Sequence, residues 1–227
     1  MGGGEAAFIP ADLSSRREVQ KLAEEVGTRY PRLDVLINNA GVMFGQRQLS
    51  PDGNEMTFAI THLARFQLTN LLLPKLAESP SARIVNVSSD AHRGVALDFS
   101  DLQNTRNCDG WKAYCRSKLA NIYFTYELAS RLRGSKISVN ALSPGFVATK
   151  IGIVNGYSSR DRWQQTTQVA ISEEEGAQTS IFLATSPSVD GCSGMYFVKC
   201  QPARSSYVSY NRMAAAHLWE RSAELVL

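Results

Sequence analysis

A tyrosine and a lysine stand four residues apart, at positions 114 and 118. On a helix, side chains at this spacing share one face. A tyrosine takes a proton from an alcohol, or gives one to an alkoxide, if its pKa falls from about 10 toward neutrality. One ammonium group at about 4–5 Å supplies roughly the 3–4 kcal/mol that this shift requires. Tyr114 and Lys118 are therefore a candidate acid–base pair, although two such residues alone more often form a surface pair.

Small and polar residues follow three apolar runs that we predict to be strands. Asn38-Asn39-Ala40-Gly41 follows residues 33–37, Ser89 ends the run at 83–87, and Ser143-Pro144-Gly145 follows residues 137–142. In an open parallel sheet, ligands bind at the carboxyl ends of the strands, and a serine hydroxyl there can hydrogen-bond a substrate carbonyl oxygen. Each motif alone also fits a local turn or strand end. Together with the tyrosine and lysine, they predict a ligand site.

The elements between these motifs alternate in type. We predict strands at residues 7–9, 33–37, 83–87, 137–142 and 195–198. Two predicted helices begin at capping boxes, one at Ser15–Glu18 and one at residues 172–175 that continues to 184. Three more are predicted over 54–73, where Pro74 ends the helix, over 111–132 and over 212–225. This alternation indicates βαβ units on a parallel sheet, in a single domain spanning residues 1–227.

Composition excludes several classes of protein. Hydrophobic residues make up 44% and the net charge is +3, without a basic run that would indicate nucleic-acid binding. No apolar stretch reaches the roughly 18 residues of a transmembrane helix, and no signal peptide is visible, so we expect a cytoplasmic protein. The four cysteines form no C-x-x-C pair and the three histidines are scattered, so we expect free thiols and no metal.

The ordered motifs resemble those of the short-chain dehydrogenase/reductase family. The motifs are Asn38-Asn-Ala-Gly41, Asn86-Val-Ser-Ser89, Tyr114-Cys-Arg-Ser-Lys118 and Pro144-Gly145. The retinol-dehydrogenase-like branch is the closest match, through residues 83–92, 113–121 and 175–180. This resemblance covers the chain from Phe8 onward.

The resemblance implies a role for each motif. Tyr114 would be the general acid/base, Lys118 would lower its pKa and hydrogen-bond the nicotinamide ribose, and Ser89 would orient the substrate oxygen. The reaction would be hydride transfer between NADP or NAD and an alcohol/carbonyl pair. Other cofactor-binding positions implied are Asp12, Leu13, Asn39, Ala40, Gly41, Pro144, Gly145, Val147 and Thr149.

The front of the chain departs from the family pattern. Family members begin with a strand, a glycine-rich turn and a helix that hold the cofactor diphosphate, whereas this sequence begins near the third strand. Gly2-Gly3-Gly4 has no strand before it and no helix after it, so it does not fit that turn. We therefore expect a Rossmann-like, doubly wound parallel sheet, N-terminally truncated, with the first two strands and helices absent. Strand 33–37 would then be an edge, with residues 7–10 either paired beside it or unpaired.

A smaller departure lies at Thr61, where the family usually has an asparagine that helps to hold a proton-relay water. Threonine is shorter and lacks the amide, so we expect a slower relay.

Two functions follow from the sequence. The first is an oxidoreductase acting on a lipophilic alcohol, aldehyde or ketone, which the apolar residues after Pro144 favour. The alternative is a non-catalytic protein of the same fold with weak or no cofactor binding. A hydrolase is disfavoured because no G-x-S-x-G elbow occurs. The choice between NAD and NADP, the state of oligomerisation and membrane association through a missing N-terminus stay open.

Overall fold

A five-stranded sheet forms the centre of the computed structural model, which describes residues 4–106 and 109–227. Strands β1 to β4 run parallel in chain order, and β5 is antiparallel to β4. The sequence did not predict β5, a three-residue strand that contains Pro202 and lies at the sheet edge, where proline is tolerated. Its turn places Lys199 and Cys200 at φ 50° and 60°. The strands are β1 Val35–Asn38, β2 Ala82–Val87, β3 Ile137–Ser143, β4 Met195–Val198 and β5 Gln201–Ala203.

Helices flank the sheet on both faces, as expected for a doubly wound fold. Helices α1, α3, α4 and α8 share one large core, and α7 covers the other face. Residues of β2 alternate between these cores, because Ile84 faces the first and Val85 and Val87 face the second. The helices are α1 Arg16–Arg29, α2 Met56–Phe58, α3 Ala64–Ala77, α4 Gly110–Arg131, α5 Ile151–Val154, α6 Arg160–Thr167, α7 Glu173–Thr185 and α8 Arg212–Val226, with a π-helical turn at Ala59–Leu63 and 3₁₀ turns at Asp90–His92, Pro187–Val189 and Tyr207–Tyr210.

Side-chain caps begin the helices that carry the main cores. Ser15 accepts from the Glu18 amide at α1, and Asp109 accepts from the Trp111 amide at α4. The capping box predicted at Ser172 and Glu175 is present in both directions. Each cap satisfies backbone N–H groups that have no partner inside the helix.

The strand predicted at residues 7–9 is wrong. Those residues are irregular in the structure, and Phe8 is 87% exposed. Three residues followed by Pro10 cannot hold a strand without a neighbour to pair with. Among the described residues β1 pairs only with β2, so β1 is an edge strand. Residues 7–10 were expected either to pair beside this strand or to be unpaired, and the structure shows them unpaired.

The prediction that Pro74 ends its helix is also wrong. The helix begins at Met56, passes through the π-helical turn, and continues to Ala77 with Pro74 inside it. Pro74 lies on the exposed side, where water can satisfy the backbone carbonyl that loses its partner. Buried Leu72 and Leu76 anchor the last turn against the core.

A buried histidine in this core should make the protein sensitive to acid. His62 is fully buried, its Nε2 lies 2.8 Å from the Ser222 hydroxyl, and three phenylalanine rings surround it. Burial, with a smaller contribution from Arg65, lowers the His62 pKa from 6.5 to about 3. The unfolded chain therefore binds one more proton than the native chain between these values, and the free energy of unfolding falls as the pH drops from 6.5, by up to about 1.4 kcal/mol per pH unit.

We expect His62→Gln to reduce this slope in urea unfolding between pH 6.5 and 4.5, and the remainder includes a contribution from His92, whose pKa burial also lowers. His217→Gln, which changes an exposed histidine, is the control and should keep the slope. An unchanged slope in the His62 variant would mean that another group causes the acid sensitivity.

Candidate active site

The carboxyl ends of β1, β2 and β3 bring the predicted motifs to one edge of the sheet. Asn39 to Gly41 follow β1, Ser89 follows β2, and Pro144 and Gly145 follow β3. Helix α4 packs against β2 and β3 and carries Tyr114 and Lys118.

The phenol of Tyr114 contacts both of its predicted partners. The Ser89 side chain lies close enough to the phenol to lower the Tyr114 pKa. The Lys118 ammonium nitrogen lies 5.4 Å from the centre of the Tyr114 ring and donates to the Val87 carbonyl over 3.4 Å. Tyr114, Lys118 and Ser89 thus form one cluster, as the motif spacing predicts.

The ionisation of the pair differs from the sequence-based expectation. Burial raises the Tyr114 pKa to about 12, although the Ser89 hydrogen bond and the Arg65 charge oppose this. Burial and the Arg65 charge lower the Lys118 pKa to about 7. The phenol is therefore less acidic than a free tyrosine, because desolvation of both side chains outweighs the attraction expected between them.

Ser89 is held in place by a histidine that sequence reasoning did not single out as functional. The Ser89 hydroxyl accepts from the Ala91 amide at 3.1 Å. His92 is fully buried, and its Nε2 accepts from the Ser206 amide, so Nδ1 carries the proton and donates to the Ser89 carbonyl over 2.6 Å. The ring therefore ties Ser89 to the segment before α8.

Asp90, in the loop after β2, connects that loop to the end of β3 and to β4. Its amide donates to the Ser143 hydroxyl, which in turn donates to the Asp90 carboxylate over 3.0 Å. The Tyr196 hydroxyl donates to the same carboxylate over 3.1 Å. These bonds hold the Ser89 and Pro144 loops at a fixed separation.

The last residue of β1, Asn38, is buried in a hydrogen-bond network, and the loop that follows it is exposed. The Asn38 amide donates to Asn86 over 2.9 Å and to Thr69 over 3.0 Å, and the Asn86 amide donates to Thr125 over 3.0 Å. We call these four residues the polar seam. Asn39 and Ala40 are exposed and lie beyond it.

Three of the remaining predicted positions, Gly145, Val147 and Thr149, lie after the end of β3. Gly145 has φ +90°, a conformation that favours glycine. Val147 forms a parallel bridge with Ile171, and the Thr149 carbonyl accepts from the Trp163 indole over 2.7 Å. These positions lie in the stretch that follows Pro144 at the β3 end.

Asp12 and Leu13 stand in the turn that precedes α1. The Asp12 carboxylate accepts from the Ser14 amide over 2.9 Å, which stabilises that turn. In the part of the chain that the structure describes, no hydrogen bond connects these two residues to the Tyr114 cluster. Their binding role thus stays a prediction.

Thr61 lies inside the π-helical turn and faces the same cluster. It is fully buried, and its hydroxyl accepts from the Val42 amide over 3.2 Å. Thr61→Asn should raise turnover, because an amide adds a second polar group where threonine presents a methyl group. Steady-state kcat measures this, with Gln67→Met as a buried control in the same helix, away from the site. No gain at position 61 would count against the relay interpretation.

A buried arginine is the other residue that sequence reasoning missed. Arg65 lies one turn after Thr61, and its guanidinium donates to the carbonyls of Asn38 and Val87. No motif predicted it, since an arginine on a helix is usually exposed.

Other features lie outside this cluster. A cavity of about 650 Å³ lies at the amino ends of β2 and β3, among residues such as Ser81, Lys136 and Arg212. Cys115, Cys192 and Cys200 are free thiols, and Cys108 lies outside the described residues. Across residues 4–106 and 109–227 no His, Cys, Asp or Glu group is arranged to hold a metal, and no helix is long and apolar enough to cross a membrane.

The nicotinamide side of a dinucleotide fits the residues at this edge. A Cβ added at Gly41 would stand 3.0 Å from the Lys118 nitrogen and 3.7 Å from Thr61, so glycine keeps the space beside the ammonium open. Lys118 can donate to a ribose there, and Tyr114 and Ser89 stand beside it. On the diphosphate side, no strand or glycine-rich turn precedes α1 among residues 4–15.

The fold is that of a short-chain dehydrogenase, and a family model described as short chain dehydrogenase matches residues 1–156. The chain therefore belongs to the short-chain dehydrogenase family and is an NAD(P)-dependent oxidoreductase. It is 40% identical to retinol dehydrogenase 14 of Homo sapiens, over 99% of this chain and 68% of the relative.

Solved structures agree with this assignment. An uncharacterised protein from Mycobacterium paratuberculosis superimposes with a TM-score of 0.75 at 31% identity, covering 95% of this chain and 74% of the other. An NAD(P)-dependent gluconate 5-dehydrogenase from Beutenbergia cavernae with bound NADP gives a TM-score of 0.66 at 25% identity, covering 87% and 76%. Nothing in these comparisons favours the non-catalytic alternative.

Proposed function

We propose that the chain transfers hydride between NAD(P) and a lipophilic alcohol/carbonyl pair of the retinol class, with Ser89, Tyr114 and Lys118 as its catalytic residues. The observation that carries the proposal is the contact of Tyr114 with both Ser89 and Lys118 at the carboxyl ends of adjacent parallel strands. The names of the relatives, which are retinol dehydrogenases, supply the substrate class.

Each side chain has one task in this reaction. The Ser89 hydroxyl donates to the substrate oxygen and fixes its distance from the Tyr114 phenol. In the oxidation direction, Tyr114 takes the hydroxyl proton as the carbonyl forms, and in reduction it gives that proton back. Lys118 holds positive charge below the ring, which favours the ionised phenol. The nicotinamide, when bound, accepts or supplies the hydride.

Apolar side chains near the cluster support a lipophilic substrate. Trp111 stacks on Tyr114 with ring centres 5.7 Å apart, and Tyr157 lies 6.3 Å from Trp111. Phe146 follows Gly145 and is 44% exposed. Exposed aromatic rings beside a polar cluster are typical of a site that binds an apolar ligand through a few polar contacts.

Cofactor binding is the first test. NADPH and NADH are titrated into the protein, and energy transfer from its tryptophans to the nicotinamide is followed. The proposal predicts micromolar binding of one of them and faster reduction of retinal than of a short hydrophilic aldehyde. No binding up to millimolar cofactor would support the non-catalytic alternative instead.

A further inference from the structure

Arg65 has an unusual position for an arginine. It is 4% exposed, and its Nη2 donates to the carbonyls of Asn38 at 2.9 Å and Val87 at 3.1 Å. It therefore bridges the carboxyl ends of β1 and β2. Its Nε and Nη1 are buried without a hydrogen-bond partner in the structure. Buried polar groups are rarely left unpaired, and the bridge to the two carbonyls leaves these two donors unused.

Lys118 shares the same carbonyl. Its ammonium nitrogen lies 3.4 Å from the Val87 oxygen, so two cationic side chains meet at one backbone acceptor. In the described ranges, neither forms a salt bridge with a carboxylate. Buried charges are normally paired, and the group beside these two that can carry a negative charge is the phenol of Tyr114.

We propose that Arg65 is a positioning residue for the reaction: it fixes the ends of β1 and β2 around the site and supplies positive charge that stabilises the ionised phenol of Tyr114. The proposal rests on the proposed role of Tyr114 as acid/base. It also explains how Lys118 can release a proton while positive charge stays beside the ring.

The charges that face the phenol agree with this assignment. Arg65 lowers the Tyr114 pKa, and Tyr114 in return raises that of Arg65. Cys115 raises the Tyr114 pKa, and Arg65 lowers the pKa values of Lys118 and His62. Burial lowers the Arg65 pKa to about 9, which leaves the guanidinium charged at neutral pH, whereas Lys118 with a pKa of about 7 is partly neutral.

The test measures the ionisation of residue 114 directly. 3,5-Difluorotyrosine, whose phenol is much more acidic than that of tyrosine, is placed at position 114, and its fluorine NMR shift is followed against pH. Arg65→Gln keeps a donor for the bridge without the charge, and Arg65→Lys keeps the charge. We expect Arg65→Gln to raise the midpoint by about one pH unit or more and Arg65→Lys to restore most of it.

Gln67→Met is the matched control, because Gln67 is buried in the same helix and donates to the Arg16 carbonyl away from the site. It should leave the midpoint unchanged. In turnover, the pH limb of kcat/KM should move with the NMR midpoint in the Arg65 variants, while KM for the cofactor stays constant.

Equal midpoints for Arg65→Gln and Arg65→Lys would overturn the charge role, even if both lose activity, since a purely structural bridge predicts that pattern. If Arg65→Gln does not fold, Arg65→His replaces it as the uncharged variant, because a buried imidazole beside Lys118 is neutral at pH 7 and above, and its midpoint should lie above that of Arg65→Lys. The NMR titration requires no turnover. A Tyr114→Phe enzyme that stayed active would reject the proposed function without altering the titration result.

Discussion

Tyr114→Phe should lower kcat by about 10²–10⁴-fold while NAD(P) binding persists. General acid–base catalysis by one positioned side chain contributes a factor of this size. Phenylalanine keeps the ring, its stacking on Trp111 and its contact with the Lys118 ammonium, but it removes the oxygen that Ser89 contacts. Substrate oxidation and reduction should fall equally, because the same proton moves in opposite directions.

Tyr126→Phe provides the matched control. Tyr126 lies on the same helix, and its hydroxyl hydrogen-bonds Ser205 at 2.7 Å, away from the cluster. Deleting this hydroxyl should cost stability but leave kcat within a few-fold of wild type. Comparable losses in both variants would indicate a folding defect rather than chemistry, and a fully active Tyr114→Phe enzyme would exclude Tyr114 as the acid/base.

Lys118→Met should make the protein more stable and almost inactive. Lys118 is 3% exposed, and burial with the Arg65 charge lowers its pKa from 10.5 to about 7. Below pH 7 the native state therefore holds a buried ammonium at a cost on the order of 2–5 kcal/mol. Methionine has a similar length and no charge, so it removes this cost together with the positive charge that the reaction uses.

The pH dependence distinguishes this mechanism from a general packing effect. Between pH 7 and 10.5 the unfolded chain binds a proton at Lys118 that the native chain does not, so wild-type stability rises with pH across this window. Urea unfolding at pH 7, 8 and 9 should show that rise in wild type, and a flatter curve for Lys118→Met with the largest gain at pH 7.

Lys75→Met is the control for this experiment. The Lys75 ammonium also donates to a backbone carbonyl over 3.4 Å, that of Pro31, but it is accessible to solvent. Its loss should change stability little. A Lys118→Met protein that is less stable than wild type at pH 7 would show that the ammonium contributes more through its contacts than burial costs it.

Hydrophobic periodicity and helix caps were sufficient to predict most of the fold. The strand at 195–198 and the capping box at Ser172 were predicted at their observed positions, because their signals are local. The predictions failed where a partner decides the outcome. Residues 7–9 have strand character but no neighbour, and Pro74 remains helical because Leu72 and Leu76 pack against the core.

The site could be predicted as a set of residues but not as an electrostatic system. Motif spacing placed Ser89, Tyr114 and Lys118 together. It could not show that burial shifts the pKa values of Tyr114 and Lys118 away from their ordinary ranges, because burial is a property of the packed chain. Arg65 and His92 escaped detection for the same reason, since each acts through backbone carbonyls that only the fold brings near.

The polar seam has a consequence for strand alignment. Asn38 and Asn86 sit opposite each other on β1 and β2, and their amides reach Thr69 and Thr125 on the two helices behind the sheet. Sliding β1 by one residue would turn Asn38 toward the opposite face and leave buried amide and hydroxyl groups unsatisfied. The seam thus favours a single alignment of an edge strand only four residues long, and the position of Gly41 beside Lys118 follows from that alignment.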